Sequence, residues 1–165
     1  MNLVLIGMMG CGKSTCGRLL ARKLKRKFVD TDALIEQRQG RAISDIFAQE
    51  GEPYFRDLET ALAQELSGET DLVIATGGGI ILRDENVAAL RENGFVVWLN
   101  RPADQIFDHV SMAGRPLAQD GKDAFLTRFA QREERYRKAA HLEVREFSSP
   151  QATVRYILQH WDART

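Results

Sequence analysis

The chain has 165 residues, a length suited to one domain that buries roughly 70% of the surface its unfolded form would expose. Lysine plus arginine and aspartate plus glutamate each number 23, so there is no basic surplus for nucleic acid or an anionic membrane, and any anion must be held by local arrangement. Cys11 and Cys16 are too few and too close for a disulfide or zinc framework, no apolar stretch reaches about 18 residues, and no basic region precedes a long apolar core, so a soluble, cytoplasmic protein is expected, with monomer as the default.

Apolar runs at 3–6, 27–29, 72–75, 95–99 and 142–144 are predicted strands, each separated from the next by room for at least one helix. That alternation predicts a parallel sheet with flanking helices. Helical spacing places Leu19, Leu20 and Leu24 on one face of 15–25, and Leu58, Leu62 and Leu66 on one face of 57–66. Further helices are predicted over 86–91, 124–139 and 150–161, the last opened by Ser148-Ser149-Pro150 as cap and first-turn proline. Residues 111–121 are rich in glycine, proline and small side chains and read as a mobile lid on a single domain spanning 1–165.

The first strand runs into Gly7-Met8-Met9-Gly10-Cys11-Gly12-Lys13-Ser14-Thr15, a complete GxxxxGK[ST] phosphate-binding loop between a strand and an amphipathic helix. Glycines let backbone amides wrap a polyphosphate, the helix that follows offers a positive end, Lys13 supplies a cation, and Ser14 supplies a hydroxyl for magnesium. A nucleoside triphosphate is the expected ligand, held by Gly10, Cys11, Gly12, Lys13, Ser14 and Thr15.

Strand ends near that loop are where an acceptor and a further metal partner belong. Asp30-Thr31-Asp32 stands at one of them. Two carboxylates two residues apart on an extended segment point the same way, one toward the metal and one toward an acceptor hydroxyl, although either could instead cap a helix starting near Ala33. Arg56 and Glu59 are three apart and share a helix face, as a supported arginine would or as a plain surface pair would. Thr76-Gly77-Gly78-Gly79 follows a strand directly, and three residues without side chains let a ligand approach the backbone. Arg128, Arg132 and Arg135 form a stripe beside Tyr136, which reads equally as a solvated face.

Together these residues resemble the shikimate kinase family across nearly the whole chain. The resemblance rests on the phosphate loop, on Phe28-Val29-Asp30-Thr31-Asp32, on Ile46-Phe47 with Gly51-Glu52, on Phe55-Arg56 with Glu59, on residues 75–79, on Arg115-Pro116-Leu117, and on Arg132 four residues before Tyr136. It implies a three-layer α/β P-loop kinase fold with a central five-stranded parallel sheet. It also implies transfer of the ATP γ-phosphate to the 3-hydroxyl of shikimate, with Mg2+, in chorismate and aromatic amino-acid biosynthesis.

On that resemblance Ser14 and Asp30 hold the metal, and Asp32 holds the shikimate hydroxyls and accepts the proton. Arg56 and Arg132 grip the carboxylate with Glu59 orienting Arg56, Gly77, Gly78 and Gly79 give the substrate backbone contact, and Arg115 swings in on the lid to the phosphates. Lys13, Asp32 and Arg115 form the catalytic set, and ATP and shikimate are the partners, with neither nucleic acid nor membrane. Where the family reads Arg-x-Pro-Leu-Tyr, Glu134 and Arg135 replace the Pro-Leu pair, so Arg135 competes with Arg132 for the carboxylate; the four-residue spacing to Tyr136 favours Arg132. His109 stands where an arginine beside adenine is common.

Overall fold

The computed structural model describes residues 1–106 and 121–162. Five strands form one parallel sheet: β1 (Asn2–Ile6), β2 (Lys27–Asp30), β3 (Leu72–Ala75), β4 (Gly94–Leu99) and β5 (Leu142–Val144). Their spatial order is β2-β3-β1-β4-β5. β1, β3 and β4 are buried along their whole length, which is why they read as unbroken Leu, Val and Ile runs rather than alternating ones. Register is set by pairs such as Leu3 with Val73 on one side and Val4 with Val96 on the other.

The connecting helices are α1 (Lys13–Leu24), α2 (Thr31–Gln39), α3 (Ile43–Glu50), α4 (Glu52–Ser67), α5 (Asp84–Glu92), α6 (Gly121–Ala139) and α7 (Pro150–Asp162), with a short 3-10 turn at Ile80–Leu82. From β1 to β2 the chain crosses the sheet in one direction, and every later crossover runs the other way. Right-handed crossovers therefore put α1 on one face and α4, α5 and α6 on the opposite face. α7 joins α1, and α3, α4 and α5 pack in succession. Gly17 on α1 has no side chain because the Phe28 ring occupies that space, with Cε2 2.5 Å from where a β-carbon would sit.

Because the strands are parallel, all five carboxyl ends open on one edge. β1, which carries the phosphate loop, lies in the middle of that edge; β2 and β3 lie to one side and β4 and β5 to the other. The crossover direction reverses around β1, the place in such sheets where ligands bind. Among the described residues no helix is long and apolar enough to cross a membrane.

The five predicted strands match the observed ones within a residue or so at each end, and the five predicted helices are all present, α4 beginning earlier than expected. α3 falls where no element was predicted, and α2 begins at Thr31, two residues before the helix offered as an alternative near Ala33. The segment read as a lid lies outside the described residues except Gly121, which opens α6, and Arg115 and His109 lie outside them as well.

Candidate active site

Two cavities adjoin along the carboxyl edge of the sheet. The larger, about 600 Å³, follows the phosphate loop from Met9 to Cys16 and continues to Arg101 and the segment 147–150. The smaller, about 330 Å³, is lined by Arg56, Glu59, Arg128 and Arg132 and by an apolar wall of Ile43, Phe47 and Phe55. Met9, Asp32, Gly77 and Gly78 belong to both.

The phosphate-loop part of the first cavity is shaped by its backbone. Gly10 and Gly12 have φ of 83° and 103°, left-handed values that let the loop fold over the start of α1. Gly12 caps α1 without a side-chain hydrogen bond, and the first turn of α1 carries no acidic residue. By contrast Asp30 Oδ1 accepts from Ala33 N at 3.1 Å at the start of α2, and Ser149 Oγ accepts from Ala152 N at 3.0 Å at the start of α7. The first-turn amides of α1 are thus left for an external anion at the positive end of the helix. Lys13 Nζ donates to Gly7 O at 2.6 Å and Met8 O at 2.9 Å, which holds the ammonium inside the loop. Cys11 lines this cavity, yet its N–H donates to Met8 O at 3.2 Å and its thiol packs on the α-carbon of Gly7, so it acts as a small filler.

Ser14 Oγ donates to Asp30 Oδ2 at 2.8 Å. A hydroxyl and a carboxylate are hard oxygen donors of the kind magnesium takes, so the pair fits that ion. Among the described residues no group of three or more His, Cys, Asp or Glu forms a closed metal cage, so an ion held by this pair would have to take its remaining ligands from phosphate and water. Asp30 therefore caps α2 with one oxygen and meets Ser14 with the other. Asp32 is not on an extended segment but in the first turn of α2, so it is the start of that helix, not strand alternation, that brings the two carboxylates together.

In the second cavity the triple glycine has a use besides the one its composition suggested. A β-carbon on Gly77 would meet Asp32 Oδ1 at 2.5 Å, and one on Gly79 would meet Arg56 Cζ at 2.7 Å. Gly77 and Gly79 are sockets for the carboxylate and the guanidinium. Gly77 N donates to Thr31 Oγ1 at 3.1 Å, and Gly79 O accepts from Leu82 N, so both peptides are tied into the fold. Between them Gly78 O accepts from Tyr136 Oη at 2.5 Å. The Tyr136 hydroxyl also meets Met8 Sδ at 3.5 Å and pairs with Arg132, while its ring stacks on Trp98 at 5.8 Å.

Arg56 is held on two sides, by Glu59 Oε1 at 2.6 Å and Glu52 Oε1 at 3.1 Å. Glu59 is 0% exposed, so this pair is buried rather than a surface decoration. Burial pushes the Glu59 carboxyl above its ordinary pKa despite the pairing with Arg56. Burial, reinforced by the Asp30 charge, does the same to Asp32, with Lys13 acting against it. Asp32 Oδ1 and Glu59 Oε2 are buried and have no hydrogen-bond partner among the described residues. Arg132 lines this cavity, whereas Arg135 reaches Leu82 O at 3.3 Å and Asp84 at 3.5 Å on the outside. Arg128, one turn before Arg132, also lines it. Its i, i+4 relation to Arg132 was the available signal for this; Arg101 had none beyond following a predicted strand.

The parallel sheet, the uncapped phosphate loop and the second, charged cavity beside it define a small-molecule kinase of the P-loop class. Residues 9–162 match the family described as shikimate kinase. A shikimate kinase of Clostridium botulinum is 41% identical over 140 residues, covering 85% of this chain and 84% of its own. One from Chromohalobacter salexigens is 44% identical over 162 residues, covering 96% and 90%. The structure of shikimate kinase from Acinetobacter baumannii in complex with shikimate superposes with a TM-score of 0.91 at 36% identity, covering 99% of this chain and 94% of that one. The chain belongs to the shikimate kinase family.

Proposed function

We propose that this protein transfers the γ-phosphoryl group of ATP to the 3-hydroxyl of shikimate, giving shikimate 3-phosphate and ADP. The observation that carries the reading is the shared wall: Asp32, Gly77 and Gly78 border the phosphate-loop cavity on one side and an arginine-lined cavity on the other. Family membership supports the same donor and acceptor.

In this reading the loop amides and Lys13 hold the β- and γ-phosphates, and Ser14 and Asp30 hold magnesium. Magnesium, when bound, offsets charge on the transferring phosphate oxygens. Arg56 and Arg132 bind the acceptor carboxylate by charge-assisted, paired hydrogen bonds, and Glu59 and Glu52 fix the Arg56 fork. Ile43, Phe47 and Phe55 take the apolar face of the ring. The acceptor oxygen forms its bond to the γ-phosphorus as the bond to the ADP oxygen breaks, and Asp32 takes the hydroxyl proton. Its raised pKa makes it a stronger base than a solvated aspartate. The transition state is loose, so positioning and charge do most of the work. Arg115 is assigned to the phosphates by resemblance.

A coupled ADP-release assay with shikimate, gluconate and AMP as acceptors tests this reading. Turnover with shikimate alone is expected. Turnover with gluconate or AMP and none with shikimate would leave a kinase but remove its proposed acceptor.

A further inference from the structure

The scheme above leaves one cation in the donor cavity unused. Arg101 follows β4, and its side chain lines the cavity together with Phe147, Ser148, Pro150 and Cys16. Its Nε is buried and meets no hydrogen-bond partner among the described residues. Its guanidinium carbon lies 6.0 Å from the centre of the Phe147 ring. It also lies close enough to α1 to act against the burial that pushes the Cys16 thiol up to about 11. A buried guanidinium nitrogen without a partner costs free energy unless a ligand supplies one.

The strand order says which part of a nucleotide can do so. Asp32 and Gly78, at the ends of β2 and β3, mark the side where the phosphoryl group leaves the cavity. The phosphate loop at the end of β1 is the middle. Arg101 and Phe147 follow β4 and β5, on the far side of the loop from the acceptor. A triphosphate with its γ-end at Asp32 must therefore direct its nucleoside toward β4 and β5.

We propose that Arg101 is a nucleoside-binding residue, its guanidinium set beside the Phe147 ring and facing the base and ribose of the donor nucleotide rather than its phosphates. The assignment rests on the reading of this cavity as an ATP site. A planar cation beside an aromatic ring suits a base, which can stack on the guanidinium face or hydrogen-bond to its edge.

The test is calorimetric titration of the wild-type protein, Arg101→Met and Arg101→Lys with ADP and with inorganic tripolyphosphate, both with magnesium. Arg101→Met should weaken ADP roughly tenfold, the loss of one hydrogen bond to a charged group, and leave tripolyphosphate within about twofold. Steady-state KM for shikimate should stay within the same margin. Arg101→Lys should recover little of the ADP affinity, because it lacks the planar fork. Equal losses for ADP and tripolyphosphate would place Arg101 on the phosphates or in general support of the loop, and overturn the proposal. Unchanged ADP affinity in Arg101→Met, or full recovery in Arg101→Lys, would overturn it too. Wild-type protein that binds no ADP would instead overturn the ATP reading itself.

Discussion

The two cavities are built on opposite principles. The phosphate-holding part of the donor cavity is one contiguous stretch, Met9 to Cys16, and its binding groups are amides at an uncapped helix end. The acceptor cavity is mainly side chains, drawn from α2, α3, α4, the glycine segment and α6. A backbone site is specified by local conformation, so it works in many proteins and reads from a short motif. A side-chain site is specified by packing, so it can select one acceptor and is spread along the chain.

That contrast can be broken first at the residue the two cavities share. Asp32→Asn should lower kcat by about 10² to 10⁴, the range for a positioned general base, with KM for ATP nearly unchanged. In the parent protein kcat/KM should fall as pH drops through the Asp32 pKa, which lies above the ordinary carboxylate range; an acid limb at the ordinary range would remove Asp32 as base. Next in size, Arg132→Ala should cost about 2 to 5 kcal/mol in kcat/KM for shikimate and act through KM for shikimate, not KM for ATP. Arg135→Ala should do neither, and steady-state kinetics on both variants decide between them.

Arg56→Ala separates binding from stability. It leaves the buried Glu59 carboxylate without its cation, a loss of about 3 kcal/mol in the unfolding free energy measured with denaturant near neutral pH. Because the Glu59 pKa is raised in the folded protein, that deficit should shrink as pH falls and Glu59 takes a proton, and grow as pH rises. A deficit constant with pH would count against the buried charge. The smallest effect belongs to Tyr136→Phe, which removes the hydroxyl's hydrogen bond to Gly78 O together with its contacts to Met8 Sδ and Arg132. It should cost about 1 kcal/mol, read as a several-fold rise in KM for shikimate with KM for ATP unmoved.

β1, β3 and β4 were legible because burial on both faces leaves continuous apolar runs, β2 and β5 as short apolar segments only partly buried, and the phosphate loop because its residues are adjacent. α2 was visible only as a possible start near Ala33, because only Thr31 and Ile35 are buried along it, too few to show a helical stripe. α3 buries only Ile46. The Arg56–Glu59 pair read either as a supported arginine or as a surface pair, because i, i+3 spacing carries no information about depth. The triple glycine was visible, but its reason was not: the atoms that demand Gly77 and Gly79 come from residues 32 and 56, contacts that no local pattern encodes. Spacing to Tyr136 favoured Arg132 over Arg135, and the rotation of α6 supplies a physical reason, turning one into the cavity and the other out to Asp84.

Met9, Asp32, Gly77 and Gly78 serve both cavities, so the partition between donor and acceptor is a single layer of residues. A ligand that shifts or stiffens this layer from one side alters the other side directly, with no relay through the fold. Linkage then requires reciprocity: whatever factor nucleotide imposes on the affinity for acceptor, acceptor must impose on the affinity for nucleotide. Any cooperation between the two substrates would then be a property of one shared surface.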